Sequence, residues 1–330
     1  MTAPRPNAER RDFDLVVLGE INPDIVVSAT DPTPVFGQVE RFVDAVTLTI
    51  GSSSVIMACG AARLGLRVAV VGVVGDDALG RYMFDAMRDA GLVVDWVRTD
   101  AGVPTGATVI LAGREDRAIL TARGTIGAVR ADDVPPSLLA RTRHLHVGSW
   151  FLQDLARPGL PALFRAAHDA GVTTSVDPNW DPAETWDGGL KRALGEIDLL
   201  FPNDREACRI ADRTDAIEAG AAIAATAAVG GRPGHWCVVK LGAAGGAVLS
   251  SGGIVARAGT PLVEPVDTIG AGDSFDAGFL RGWLDGRSSE ESLRLAVACG
   301  SLSTRAVGGT SAQPTLAEAE TVAGMLTTTT

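Results

Sequence analysis

The stretch DTIGAGDSFDAGF, residues 267–279, sets an acidic residue, two glycines around an alanine and a second aspartate ahead of a run with helical spacing. Gly270 and Gly272 let the backbone turn tightly and come close to a ligand. Phe275, Phe279, Leu280 and Trp283 recur at three- and four-residue intervals, which predicts a helix over 274–284. The start of such a helix carries unpaired N–H groups and the positive end of the dipole, a setting suited to phosphate. Asp273 falls at that start. It is either an N-cap after a glycine turn or a carboxylate kept beside an anion to take a proton from an attacking hydroxyl.

Outward from this stretch, short β-branched runs alternate with helical ones, which predicts βα units around a mostly parallel sheet. The predicted strands are 15–18, 68–71, 145–147, 173–176, 199–201, 236–240 and 247–249. The predicted helices are 55–64, 80–90, 161–170, 204–211, 216–229, 274–284 and 290–305. Two regions, 25–50 and 105–121, break this rhythm with strand-like pieces such as 108–111 and 118–121. They read either as a small separate sheet or as edge hairpins.

The 330 residues are 46% hydrophobic and 21% charged, which allows a sizeable core in one large α/β domain or two small ones. A net charge of −11, from 40 acidic and 29 basic residues, argues against nucleic acid or an anionic membrane as the main partner. Cys59, Cys208, Cys237 and Cys299 are far apart with no CxxC pair, as expected of reduced thiols in a cytoplasmic protein. Residues 1–12 lack an apolar signal core and read as a disordered leader, and the soft run 219–229 is too short to span a bilayer. The closing TTTT reads as frayed.

The opening string resembles the C-terminal signature of the PfkB (ribokinase-like) carbohydrate kinases, D-T-x-G-A-G-D-x-F, matched by Asp267, Thr268, Gly270, Ala271, Gly272, Asp273 and Phe275. The resemblance implies a ribokinase-like three-layer α/β/α sandwich. Its central sheet would be mostly parallel, with a small β-sheet lid over the substrate cleft that is often shared across a dimer. It gives the Gly270, Ala271 and Gly272 backbone the role of anion hole and Asp273 that of general base. It also implies ATP and Mg²⁺, with K⁺ near Asp267 and the backbone of 308–309.

Other motifs fit the same resemblance. GEINPD, 19–24, follows the first predicted strand, where parallel sheets present polar residues to ligands. Asn22 and Asp24 either bind vicinal hydroxyls or form an Asx turn around Pro23; the string is similar to the family's G-x-x-N-x-D opening, whose aspartate binds the sugar. GSSSVIMACGAARLG, 51–65, matches the family's first signature in part. Gly51 fits, but Ser52 replaces a glycine and Ile56 replaces the asparagine that touches the sugar. An apolar Ile56 cannot make that hydrogen bond, so Ser52, Ser53 or Ser54 would have to supply it.

Asn203 and Glu206 in PNDRE fit both a capping box and the family's N-x-x-E motif, which organises Mg²⁺ waters or phosphate. VVKLGAAGG, 238–246, resembles the family's nucleotide-side T-x-G-x-x-G, with Lys240 at the threonine and Gly242 and Gly245 near ATP. The segment 298–315 falls where the family lines its adenine pocket. No GxxxxGK[ST] occurs, so a Walker-type NTPase is not supported. Asp177 and Asn179 fit the family's D-x-N-x-R, but Asp181 replaces the arginine that a sugar acid would want, unless Arg123 substitutes. His144 and His146 share one face of a strand and read as structural.

These resemblances imply an ATP-dependent sugar kinase spanning 13–315, with lid segments near 25–50 and 105–121 and a C-terminal helix or tail over 316–330. The expected partners are a small sugar and ATP, with a homodimer if the lid pairs. A nucleoside kinase of the same fold is the alternative, with Ile56, Met57, Trp150 and Phe151 favouring a base. A non-catalytic sugar- or nucleotide-binding regulator is the rival, and the intact Asp273 speaks against it.

Overall fold

The run VAVVGVVG at Val68–Gly75 is buried along its whole length. A strand with no polar alternation is covered on both faces, as in the middle of a parallel sheet. In the computed structural model, which describes residues 11–113, 117–229, 234–261 and 263–329, the chain runs β1 (Phe13–Leu18), β2 (Pro23–Ser28), β3 (Ala45–Ile50), α1 (Ser53–Arg63), β4 (Val68–Gly75), α2 (Ala78–Asp89), β5 (Val93–Asp100), β6 (Ala107–Ala112) and β7 (Arg117–Ala122). It continues through α3 (Pro136–Leu139), β8 (Thr142–Val147), α4 (Leu160–Asp169), β9 (Thr173–Val176), α5 (Leu190–Ala193), β10 (Leu199–Leu200), α6 (Asp204–Ala211), α7 (Ala216–Ala228), β11 (Trp236–Lys240), β12 (Gly246–Ser250), β13 (Gly253–Ala258), α8 (Ala271–Leu284), α9 (Ser289–Ser303), α10 (Leu316–Ala323) and β14 (Thr328–Thr329).

The main sheet has the order β14-β13-β12-β11-β10-β9-β8-β1-β4-β5 and is parallel from β11 to β5, with β12, β13 and β14 added antiparallel. One core cluster lies between this sheet and α1, α2, α8, α9 and α10; the other lies between it and α3 to α7. The architecture is therefore the three-layer sandwich expected. The chain reverses direction across the sheet beside β1, and ligands of such sheets bind at the carboxyl ends of the strands near that point.

Helix boundaries follow local chemistry. Capping boxes start α6 (Asn203 and Glu206), α9 (Ser288 and Glu291) and α10 (Thr315 and Glu318). Helix α8 begins at Ala271, three residues before the predicted start, because Gly270 at φ +73° takes the turn and leaves Gly272 and Asp273 in the first helical turn. Strands β5 and β13, whose polar residues alternate with apolar ones, went unpredicted, as did the one-turn helices α3 and α5 and the short strand β14, whereas α10 falls within the C-terminal helix or tail expected over 316–330. Of the closing threonines expected to fray, Thr328 and Thr329 instead pair with Ala258 and Arg257, and Thr330 lies outside the described residues. The expected leader falls mostly on residues 1–10, outside those described; from Arg11, whose guanidinium donates to the Thr142 and Ala170 carbonyls, the chain is fixed to the sheet. No helix among the described residues is long and apolar enough to cross a membrane.

Regions 25–50 and 105–121 form a separate four-stranded sheet, β3-β2-β6-β7. Cross-strand partners share a face. Ile25, Val27, Val46, Leu48, Val109, Leu111, Ala118 and Leu120 therefore make one apolar face, and Asp24, Thr47, Thr49, Thr108 and Thr121 lie on the other.

Candidate active site

A cleft of about 710 Å³ lies over the carboxyl ends of β9 and β11 and the start of α8, and Ser53, Asp177, Asn179, Asn203, Glu206, Lys240, Gly242, Gly245, Thr268 and residues 270–273 all line it. At its floor, Gly270 has no room for a side chain: a Cβ would sit 2.7 Å from the backbone of Gly309. At Gly272 a Cβ would meet nothing closer than Lys240, at 3.5 Å, so the space above it belongs to the cleft. The Ala271 N–H reaches the Thr268 carbonyl at 3.3 Å. Those of Gly272 and Asp273, in the first helical turn, have no intrahelical acceptor and are donors for an anion.

Asp273 is half-buried beside these donors. Burial first, and then the charge of Asp177, push its carboxyl well above the usual range, while Lys240 and a hydrogen bond from Ser53 oppose the rise. A carboxylate moved toward neutrality is a better proton acceptor at physiological pH.

Lys240 is buried in a charge cluster. Its Nζ donates to Asp177 Oδ2 at 2.6 Å and to Asp276 Oδ2 at 3.1 Å. Burial works to raise Asp177, but the Lys240 ammonium, helped by Asp276 and His146, holds that carboxyl below its ordinary value. Asp276, more deeply buried, is raised well above its own. Asn203 and Glu206 form the reciprocal capping box, at 2.8 and 2.9 Å, and still line the cleft. Burial, then Asp177, push Glu206 up to about 7. In the turn after β11, Gly245 at φ +93° has the Ala258 carbonyl where a Cβ would go, whereas Gly242 faces open space.

On the opposite side of Asp273 the residues are polar and acidic. Asp24 is 7% exposed with no hydrogen-bond partner to its carboxylate among the described residues, and burial pushes it up to about 6. A Cβ on Gly51 would collide with that carboxylate, so Gly51 makes its room. Asn22 donates weakly to the Pro23 carbonyl and Thr108, both at 3.4 Å. Asn179 donates to Ser149 at 2.8 Å and to Ser53 at 3.4 Å. Ser52, at φ +69°, caps α1. Asp267 lies in an adjoining cavity, accepting from Ile269 N and Gly308 N, with Arg117 at 3.7 Å.

The sequence matches the profile of the pfkB family carbohydrate kinases over residues 12–316. The chain belongs to that family. A pfkB-family carbohydrate kinase is a phosphotransferase with an alcohol acceptor. This member is 31% identical over 265 residues to an ATP-dependent ribose-1-phosphate kinase of Halopiger xanaduensis, covering 79% of this chain and 82% of the relative. It is 27% identical to the ribokinase of Haemophilus influenzae, covering 92% and 96%. The structure of Arabidopsis thaliana ribokinase complexed with ribose and ATP superposes with a TM-score of 0.79 at 26% identity, covering 94% and 98%.

Several residues of this pfkB kinase depart from the sequence reading. Ile56 does not face the cleft. It is 3% exposed and packs beneath Gly270 and Gly309, one helical turn below Ser53, so it is the serine that reaches the site. Asp181 turns inward and accepts from Ala183 N, Thr185 N and Trp186 N, and Arg123 is paired with Asp154. Neither offers a cation to a sugar acid. Met57, Trp150 and Phe151 are core residues, so no aromatic ring from 150–151 stacks on a base. His144 and His146 share hydrogen bonds with Ser175, and burial lowers both to about 3, which fits a structural role. Asp276 and Glu20 escaped the reading although both lie inside quoted motifs; the three-residue step from Asp273 to Asp276 was the available signal.

Proposed function

We propose that this kinase transfers the γ-phosphoryl group of ATP to a hydroxyl of a small, uncharged sugar. Asp273 takes the proton of the attacking hydroxyl, and the free N–H groups at the start of α8, on Gly272 and Asp273, steady the charge on the transferring group. The observation that carries this reading is the pairing of a raised, half-open carboxylate with unpartnered helix N–H groups in one cleft.

Asn22, Asp24, Gly51, Ser52, Ser53 and Asn179 form the acceptor side, with Asp177 orienting Asn179 through its backbone N–H at 2.7 Å. Its ionisable groups are acidic, and Lys240 is already engaged by two carboxylates. That arrangement suits vicinal hydroxyls and repels phosphorylated or acidic sugars.

The nucleotide lies over Gly242, Gly245 and Thr268. No three His, Cys, Asp or Glu side chains converge as a metal cage among the described residues. Among the described residues Glu206 Oε1 takes no hydrogen bond, and its raised carboxyl fits a cation; Glu206 and Asn203 would hold Mg²⁺ through water, supplying neutralisation of phosphate charge. Potassium fits less well, because the Asp267 carboxylate already faces two N–H groups and Arg117.

The apolar face of the small sheet supports a homodimer. Val46, Leu48 and Leu120 are 64%, 42% and 60% exposed there. A second copy of the same face is self-complementary, and pairing would hold the sheet as a lid that excludes water. The reading is tested by incubating the protein with ATP and a panel of D-ribose, D-fructose, ribose-1-phosphate and adenosine, with phosphorylated product measured by mass spectrometry. Phosphorylation of a free sugar is expected; turnover confined to adenosine or ribose-1-phosphate would overturn the acceptor class.

A further inference from the structure

Glu20 follows β1 and is 3% exposed. The Ser52 hydroxyl donates to the Glu20 main-chain carbonyl at 2.5 Å and lies 3.1 Å from Oε1, which accepts from Ser54 N at 3.3 Å and the Ser149 hydroxyl at 3.0 Å. Its Oε2 accepts from the Ser54 hydroxyl and from Gln153 Nε2, both at 2.8 Å. None of these donors is a cation, an uncommon way to satisfy a buried carboxylate.

A carboxylate only accepts, so it dictates where its neighbours' protons point. The Ser149 hydroxyl spends its proton on Glu20 and keeps its lone pairs for Asn179 Nδ2, at 2.8 Å. Asn179 Oδ1 is occupied by Trp180 N at 2.7 Å, which fixes the amide's sense. The same Nδ2 reaches Ser53 Oγ at 3.4 Å, and Ser53 lines the cleft together with Asp273. Every link from Glu20 to Ser53 therefore has one direction. Of the seven non-glycine residues with positive φ among those described, Ser52, Ser149 and Asn179 meet here, at φ +69°, +52° and +55°. Such conformations persist where surrounding contacts over-determine them, and they gather at functional sites.

We propose that Glu20 is a positioning residue for the acceptor end of the cleft: by taking the Ser149 proton it holds the amide of Asn179, whose Nδ2 faces Ser53 in the cleft that Asp273 lines. The inference rests on the reading of Asp273 as the base. Asp273 is also faced by Asp177 from the end of β9, Lys240 from β11 and Asp276 one turn along α8. Glu20 adds its own charge from the end of β1.

The test uses full-length Glu20→Gln, Ser149→Ala and their double variant, with D-ribose and D-fructose as acceptor probes. Each single variant is expected to raise the acceptor KM roughly tenfold and to leave the ATP KM within about twofold, the scale of losing one hydrogen bond to a charged group. The double variant should be no worse than the worse single, since both act through one chain. The titration of Asp273, followed by ¹³C NMR and assigned by its loss in Asp273→Asn, needs no substrate; removing the Glu20 charge should move its midpoint to lower pH. Parallel changes in both KM values, an additive double variant or an unmoved midpoint would overturn the proposal. If Glu20→Gln does not fold, Ser149→Ala, which leaves Glu20 its other donors, must still raise the acceptor KM alone. Full turnover by Asp273→Asn would sink the base assignment separately, and the NMR midpoint would still judge Glu20.

Discussion

Replacing Lys240 by methionine should convert the charge cluster beneath the cleft into a measurable liability. The substitution leaves the Asp177 and Asp276 side chains, 8% and 1% exposed, facing each other without a cation. Asp276 Oδ1 already has no hydrogen-bond partner. Removing one partner of a buried ion pair costs about 3–5 kcal/mol. With a urea slope of roughly 3 kcal/mol per molar, that lowers the unfolding midpoint by about 1–1.7 M. The loss depends on pH with a definite sign. Asp276 is raised well above its ordinary value, by burial first, even with Lys240 present; without it both carboxylates bind a proton more tightly folded than unfolded. Such groups support the fold at low pH and cease to as pH rises through their folded pKa. The deficit of Lys240→Met should therefore be full at pH 8 and shrink toward pH 5, and Asp276→Asn added to it should recover at least about 1 kcal/mol at pH 8. Urea unfolding followed by circular dichroism at both pH values checks this. A midpoint shift below about 0.3 M, or one equal at pH 5 and pH 8, would refute the idea that the ammonium holds two buried carboxylates.

Three further outcomes follow from the geometry. Asp24, raised by burial to about 6, destabilises the fold above that pH; Asp24→Asn should gain up to roughly 2–3 kcal/mol at pH 8 and nothing at pH 4, while raising the acceptor KM, read by urea unfolding and steady-state kinetics. Gly272→Ala should fold at least as well as the native chain, because alanine favours a helix by about 0.5–1 kcal/mol, yet lose turnover as its methyl enters the cleft; Gly270→Ala, at φ +73° with Gly309 in the way, should lose both stability and activity, as thermal melts and product assays will show. Leu48→Lys with Leu120→Lys should give a monomer by light scattering if the apolar face of the small sheet is the dimer contact, and an unchanged mass would reject that surface.

The parts of the fold readable from sequence were those written in local pattern. Apolar runs fixed the central strands, and Asn203 with Glu206 announced the start of α6 by their own side chains. Strands β5 and β13 were missed because VVDWVRTD and GIVARA mix polar residues into the alternation. The glycine turn at 270–272 was legible because a positive φ demands glycine. Ser149, equally left-handed, gave no such signal, since its conformation is held by distant contacts. Side-chain partnership was the least legible feature. Asp177, Lys240 and Asp276 meet only because β9, β11 and α8 converge at one sheet edge, and Ile56 left the expected sugar contact because its helical phase points it at Gly309.

The central claim is that Asp273 moves the proton while the helix start holds the phosphoryl group. Phosphoryl transfer to the best sugar of the panel, measured for Asp273→Asn alongside ATP affinity by calorimetry, tests it most directly. Turnover should fall by at least roughly 10²–10⁴-fold with ATP affinity kept within a few fold; sustained turnover, or loss of ATP binding in step with activity, would contradict it.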